Sequence, residues 1–334
     1  MKIYVILLIL FNVFLFLFQK KIDLIINAYD KPDKIRKLHQ NLVPLTGGFY
    51  LILNLFFLFF IDILLNYKNF FFQDIFYYNR VYFSFISGLF LFFLLGLSDD
   101  KKPINANLKL VIQFIIFFII LLLDPNLKIE FLRLSFADQI FYLNEFSLFF
   151  TIFCLLLFIN AFNMFDGINA QSGLYFFVCL LVFYLTSQKT IFLLLMIYLT
   201  FFLYKNIKNK IFLGNSGSHL ISFFISFYFI KFYNTDLIIF ADFIFLVMLI
   251  PGIDMLRVFI LRISKGINPF FPDRRHLHHI LLKKFNEKIV VLLIFLLILL
   301  PVITNYLFFN TLIIIMITII SYFFLIFISI SNKK

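Results

Sequence analysis

The chain has 334 residues, of which 63% are hydrophobic and only 14% charged, and its formal net charge is +12. That polar fraction is too small to cover a soluble domain of this length, so a soluble globular protein is excluded. The positive charge does not point to nucleic acid either. Lys and Arg sit in short segments between apolar runs, where they set the orientation of a membrane protein.

Eleven apolar runs are candidates to cross a bilayer, at about 3–19, 47–65, 81–97, 108–123, 147–164, 172–187, 190–204, 219–233, 237–256, 289–306 and 311–330. The shorter ones need flanking aromatics or a locally thinned bilayer to complete the crossing. The first run follows Met-Lys, precedes Lys20 and Lys21, and has no small-residue cleavage site after it. It is expected to be a retained helix with its N-terminus outside. The inside segments are then 20–46, 98–107, 165–171, 205–218, 257–288 and 331–334. With Lys109 at a span edge they hold 22 of the 29 Lys and Arg residues. The expected fold is an all-α polytopic membrane protein of ten to eleven transmembrane helices, with the C-terminus cytoplasmic and one transmembrane domain over 1–334. The longest outside segment, 124–146, is expected to hold a short hairpin or an interfacial helix. Cys154 and Cys179 lie within apolar runs at no metal or redox spacing and read as packing residues.

Five inside segments carry polar motifs. The first runs from Lys31 through His39 and Pro44 to Gly47-Gly48. Basic residues before a glycine pair at a helix start can bind phosphate through charge and backbone N–H groups, although a loop that only sets orientation has the same composition. The second holds Asp99-Asp100-Lys101-Lys102-Pro103, then Asn105, Lys109 and Gln113. Adjacent carboxylates at a membrane boundary need a counter-ion, which a lysine or a divalent cation such as Mg²⁺ supplies. The third places Asn160, Asn163 and Asp166 three apart at the end of an apolar run, followed by Gly167 and Asn169. Polar groups there are functional candidates, with simple solvation of a helix end as the alternative. The fourth, Gly214-Asn215-Ser216-Gly217-Ser218-His219, is a turn whose amides can approach an anion. The fifth contains Pro251, Asp254, Arg257, Arg262 and Gly266, then Asn268-Pro269 and Pro272-Asp273-Arg274-Arg275-His276-Leu277-His278-His279. Its arginines and histidines suit a pyrophosphate or nucleotide, with a zinc site or a solvated basic loop as alternatives.

In this order the five segments resemble the polyprenyl-phosphate N-acetylhexosamine-1-phosphate transferase family, also called glycosyltransferase family 4. The resemblance covers about residues 30–280 and is closer to the WecA branch than to MraY. It implies attack of a polyprenyl (undecaprenyl) phosphate oxygen on the β-phosphorus of a UDP-amino sugar such as UDP-N-acetylglucosamine, with release of UMP. It further implies Mg²⁺, or Mn²⁺ in its place, and a multi-pass protein of the bacterial inner membrane with its site facing the cytoplasm. The product would feed cell-surface glycan synthesis such as lipopolysaccharide, O-antigen or cell wall biogenesis, and the family allows a homodimer. By the same resemblance Asp99, Asp100 and Asp166 are catalytic. Lys109, Asn163, Asn169, Arg274, His276, His278 and His279 bind substrate, and Asp99, Asp166 and Asn215 face the metal.

Three positions depart from the family pattern. Asn215 replaces an acid that is a principal Mg²⁺ ligand, Asn169 replaces a second acid after Asp166-Gly167, and Pro103 replaces a polar residue. An Asn keeps a carbonyl oxygen but loses a full charge, which lowers metal affinity. Two other functions compete: a catalytically weakened relative serving as a lipid-binding or scaffold protein, and a transporter using the intramembrane acids Asp62 and Asp242.

Overall fold

The computed structural model describes residues 2–32, 41–64, 79–270, 273–308 and 310–331. All eleven apolar runs are helical. They form α1 (Lys2–Leu17), α3 (Gly47–Leu64), α4 (Asn79–Lys101), α5 (Ala106–Leu123), α6 (Ser147–Phe165) and α7 (Gln171–Ser187). The remainder are α8 (Thr190–Asn206), α9 (Gly214–Asn234), α10 (Ala241–Ile263), α12 (Glu287–Phe308) and α13 (Thr311–Ser331), and two short helices are added, α2 (Gln19–Ile26) and α11 (Leu277–Leu281). Six helices among the described residues are long and apolar enough to cross a membrane, and α1 with α2, bent by 68°, would be a seventh. The stretches 47–62, 171–187 and 190–206 are apolar but shorter. The protein is an all-α polytopic membrane protein.

Segment 124–146, expected to hold a short hairpin or an interfacial helix, holds a hairpin. Strand β3 (Phe131–Leu132) pairs antiparallel with β4 (Phe141–Tyr142), between short 3₁₀ turns at Pro125–Leu127 and Asn144–Phe146.

Several boundaries move, each for a local reason. Segment 20–46 does not begin as a loop, because residues 19–26 form α2. That helix buries Asp23 and Ile26, exposes Lys20 and Lys21, and ends at Asn27 in the left-handed conformation. Asp99 and Asp100 belong to the last turn of α4. Pro103 follows it, and Asn105 then caps α5 by accepting from the N–H of Asn107 at 2.9 Å. Helix α9 begins at Gly214, so the glycine-flanked turn is helical. Helix α10 continues to Ile263, with Arg257 donating to buried Asp254 and Arg262 to half-buried Asp273.

The chain forms two compact units, Met1–Lys128 with Cys179–Lys231, and Ile129–Val178 with Phe232–Lys334. In the first unit, β1 (Tyr29–Asp30) pairs with β2 (Val43–Pro44). The N–H of Phe212 donates to the Pro44 carbonyl at 2.9 Å, and the N–H groups of Gly47 and Gly48 donate to Phe212 and Leu213 at 2.9 and 3.0 Å. The starts of α3 and α9 therefore share one end. Gly48 permits this, since a Cβ there would lie 2.3 Å from the Gly217 backbone nitrogen. These glycine amides are consumed by backbone carbonyls, so Gly47 and Gly48 serve close packing and do not present free donors to a phosphate. At the opposite end Asp124, which caps α5, pairs with Lys231 of α9 at 2.6 Å, and the Tyr4 hydroxyl of α1 reaches Asp62 of α3 at 3.3 Å.

In the second unit, the segment after α6 meets α11, while Ser135 of the 124–146 segment bonds Asp242 in the first turn of α10 through its N–H (2.9 Å) and its hydroxyl. The transporter candidates Asp62 and Asp242 are thus held by a tyrosine and a serine within their own units. The basic residues at 33–40, including His39, fall outside the described residues.

Candidate functional site

The first unit places the paired carboxylates in unequal surroundings. Asp99 is 6% exposed, and its Oδ2 lies 2.8 Å from Nζ of Lys109, itself 17% exposed. Its Oδ1 accepts from the N–H of Ile104 at 2.8 Å. Lys109 stands in the first turn of α5, where a cation is disfavoured by the helix dipole, and Asp99 offsets that charge. One turn along, Gln113 Nε2 meets His219 Nε2 at 3.2 Å, with both residues fully buried. Asp100 spends both oxygens on the start of α9. Oδ1 accepts from the N–H of Asn215 at 2.7 Å and Oδ2 from that of Ser216 at 3.0 Å. A carboxylate on a helix N-terminus satisfies two orphan donors and complements the dipole. The turn expected to receive an external anion is occupied by the chain's own Asp100.

The second unit gathers the third and fifth motifs. Asn160 and Asn163 lie on α6, and Asp166 caps its C-terminus, donating its N–H to the Phe162 carbonyl at 3.0 Å. Asn163, Asp166 and Asn169 are half-buried. Gly167 sits against His278 so closely that a Cβ would come within 2.1 Å of the imidazole Nε2.

Buried Asp254 organises the fifth segment. Its Oδ1 accepts from Arg257 at 2.8 Å, the N–H of Leu277 at 2.9 Å and the Tyr322 hydroxyl at 2.7 Å, while Oδ2 lies 2.7 Å from Nδ1 of His276. Arg257 also donates to the Tyr322 hydroxyl and to the Arg275 carbonyl, both at 2.6 Å. Below it Arg262, 1% exposed, holds Asp273 at 3.1 Å and bonds the Pro269 carbonyl. Burial would raise the Asp273 carboxyl, but hydrogen bonds and charge from Arg262 and Arg275 outweigh that and hold it below the usual carboxylate range. The carboxylate of Asp254 thus fixes the His276 ring and turns its Nε2 away from the hub. Arg274 is exposed, His279 half-buried, and His276 and His278 buried, with the His278 ring 5.9 Å from His276 and 4.3 Å from His279.

Burial, reinforced by His279, pushes the His278 imidazole from its ordinary 6.5 down to about 3. The unfolded chain takes up a proton below pH 6.5 that the folded chain refuses. Stability is therefore complete above 6.5 and is lost as pH falls from 6.5 toward 3, by up to about 1.4 kcal/mol per pH unit. The thermal midpoint should fall between pH 7 and pH 5, and His278→Asn should flatten that slope. An equal slope in both proteins would count against a buried neutral His278.

The structure thus pairs Asp99 with Lys109 and Asp100 with Asn215 in one unit, and Gly167 with His278 and His276 with Asp254 in the other. Arg257 and Arg262, which the sequence offers to a pyrophosphate with the other arginines of their segment, are instead spent on Asp254 and Asp273, while the sequence assigns no role to Asp254 or Tyr322. The signal for Tyr322 was a phenol inside an otherwise apolar run. Among the described residues no three His, Cys, Asp or Glu side chains converge as a metal cage.

Residues 82–233 match the model of glycosyl transferase family 4. That stretch contains Asp99, Asp100, Lys109, Asn163, Asp166, Asn169 and Asn215, while the histidine segment lies beyond it. Curated relatives carry the name undecaprenyl-phosphate alpha-N-acetylglucosaminyl 1-phosphate transferase. The protein of Salmonella typhi is 26% identical over 285 residues, covering 81% of this chain and 73% of the relative. Those of Yersinia pestis and Thermotoga maritima are each 28% identical, over 82% and 81% of this chain and 74% and 77% of their own.

Proposed function

From the match of residues 82–233 to the model of glycosyl transferase family 4, we propose that the chain transfers N-acetylhexosamine-1-phosphate from a UDP-sugar to undecaprenyl phosphate. UMP is released and a lipid-pyrophosphoryl-sugar forms, starting a cell-surface glycan. The observation that carries this reading is the match of residues 82–233 to the family model, with Asp99, Asp100, Asp166 and Asn215 at helix ends. The relatives' printed activity, over about four-fifths of this chain, favours it over a transporter or a scaffold.

In this reading the chain is one transferase domain of eleven spans in the bacterial inner membrane, with its N-terminus outside and its polar motifs in the cytoplasm. Asp99, paired with Lys109, binds the acceptor phosphate and takes its proton, and Asp100 anchors α9 beside it. Asn163, Asp166 and Asn169 line the nucleotide-sugar pocket. Arg274 and His279, with His276 oriented by Asp254, hold the donor phosphates, and His278 packs the loop that carries them. Mg²⁺ or Mn²⁺, carried on the donor diphosphate, would supply charge neutralisation at the reacting phosphorus, and Asp99, Asp166 and Asn215 are the oxygen donors this chain offers it.

The test is UMP release by purified protein given polyprenyl phosphate, a panel of UDP-N-acetylhexosamines and Mg²⁺ or Mn²⁺. Lipid-dependent release, lost in Asp166→Asn, is the expected result and names the sugar. Release from Asn215→Asp alone would show the natural chain to be a disabled relative.

A further inference from the structure

In the second unit the hairpin of segment 124–146 is tied down along its length. The Ile129 N–H donates to the Thr151 hydroxyl at 2.8 Å and the Ser147 hydroxyl to the Ile129 carbonyl at 2.7 Å, which fixes its base to the first two turns of α6. The Tyr233 hydroxyl holds the middle, accepting from the Arg133 N–H at 2.7 Å and donating to the Phe131 carbonyl at 3.2 Å. Beyond β3 the Ala241 N–H donates to the Arg133 carbonyl at 2.8 Å, and Ser135 donates its N–H and its hydroxyl to Asp242. That fixes the far side to the first turn of α10. A hairpin standing away from the protein would be held at its base alone. This one lies across the ends of α6 and α10, which pack against each other.

Both helices are long and apolar enough to cross a membrane. With 19 and 23 residues they measure about 29 and 35 Å at about 1.5 Å per residue, close to the roughly 30 Å of a hydrocarbon core. Their first turns therefore sit at the edge of the hydrocarbon, and the hairpin sits there with them. Its outward side chains do not suit water. Phe136, Phe141, Tyr142 and Phe146 are between 44% and 67% exposed, and Ile239 and Phe240, which lead into α10, are exposed as well. The Phe146 ring lies 5.1 Å from that of Phe149, and Phe149 stacks on Phe153 at 6.4 Å, both exposed on α6. The aromatic surface of the hairpin thus runs on into the lipid-facing stripe of a span. Glu130, Asp138 and Glu145 are exposed in the same segment. Carboxylates are costly in the hydrocarbon interior and depleted at the centre of protein–protein contacts, whereas the headgroup layer accommodates rings and charges together.

We propose that the hairpin is an interfacial anchor that lies in the headgroup layer of the bilayer, with its aromatic rings inserted toward the acyl chains. Its partner is the lipid surface. A two-stranded ribbon is marginal by itself, and the bonds to α6, Tyr233 and α10 hold it in the plane of the membrane. This anchoring is independent of the transfer reaction and of the side of the membrane that the hairpin occupies.

The natural chain contains no Trp, so Tyr142→Trp and Phe136→Trp each create a single indole reporter at an exposed position. Each full-length variant is reconstituted in nanodiscs of lipid brominated near the ester end or near the methyl end of the acyl chains, and its thermal midpoint should match that of the natural protein. Both reporters should emit to the blue of indole in water, lose most of their intensity to ester-end bromine and less to methyl-end bromine, and respond little to acrylamide in the buffer. Water-like emission that acrylamide quenches and bromine does not, in either reporter, would overturn the proposal by standing the hairpin in water. Blue-shifted emission that neither agent quenches would overturn it by placing a second copy of the protein over the rings. Stronger quenching by methyl-end bromine would overturn it by sinking the segment into the hydrocarbon.

Discussion

Asp254→Asn is expected to destabilise the protein by about 3–5 kcal/mol, the cost of leaving a buried charge without its partner. It should also cut lipid-dependent UMP release by at least about 100-fold, because the histidine segment loses its anchor. The carboxylate meets four groups at once: Arg257, His276, the Leu277 N–H and the Tyr322 hydroxyl. An amide of the same shape cannot balance the Arg257 charge, and one of its two atoms becomes a donor facing donors. Tyr322→Phe removes a single spoke of the same hub and should cost about 1 kcal/mol while keeping most activity. Thermal unfolding in detergent, run beside the UMP assay, reads both effects. An Asp254→Asn protein with natural stability and activity would show that the hub does not position the segment.

The two neighbouring acids should behave differently when each is made an amide. Asp99→Asn should reduce activity by about 10²–10⁴, the range for loss of a positioned acid or base. Its effect on stability should be smaller, since Lys109 at 17% exposure keeps a path to water. Asp100→Asn should act mainly on the fold. Its new NH₂ group would face a backbone N–H of Asn215 or Ser216, weakening the start of α9 by about 1–2 kcal/mol. Measured together, the midpoint should drop more in Asp100→Asn and the rate more in Asp99→Asn. The reverse pattern would move the proton-accepting role to Asp100.

The eleven helical runs, the position of the hairpin in 124–146 and the identity of most motif residues were legible in the sequence. Each depends on near-neighbour chemistry: a long apolar run must satisfy its backbone internally, and charges collect where such runs end. What the amides at 47, 48, 215 and 216 do was not legible. A glycine-rich helix start looks the same in sequence whether its N–H groups meet a phosphate, a carbonyl or an aspartate. Here Phe212 and Leu213 take the first pair and Asp100 the second, partners more than a hundred residues away.

The histidine segment shows the same division. Composition marks His276, His278 and His279 as a cluster suited to phosphate. Only tertiary contact separates His276, oriented by Asp254, from His278, buried neutral against Gly167, and both from exposed Arg274. By itself the sequence determined that this chain is a helical membrane protein whose polar residues gather at helix ends, because hydrocarbon thickness and backbone hydrogen bonding act on contiguous residues. Which acid pairs with a lysine and which caps a helix was decided by the tertiary structure, because a buried carboxylate takes its partners from the donors that other helices bring within about 3 Å.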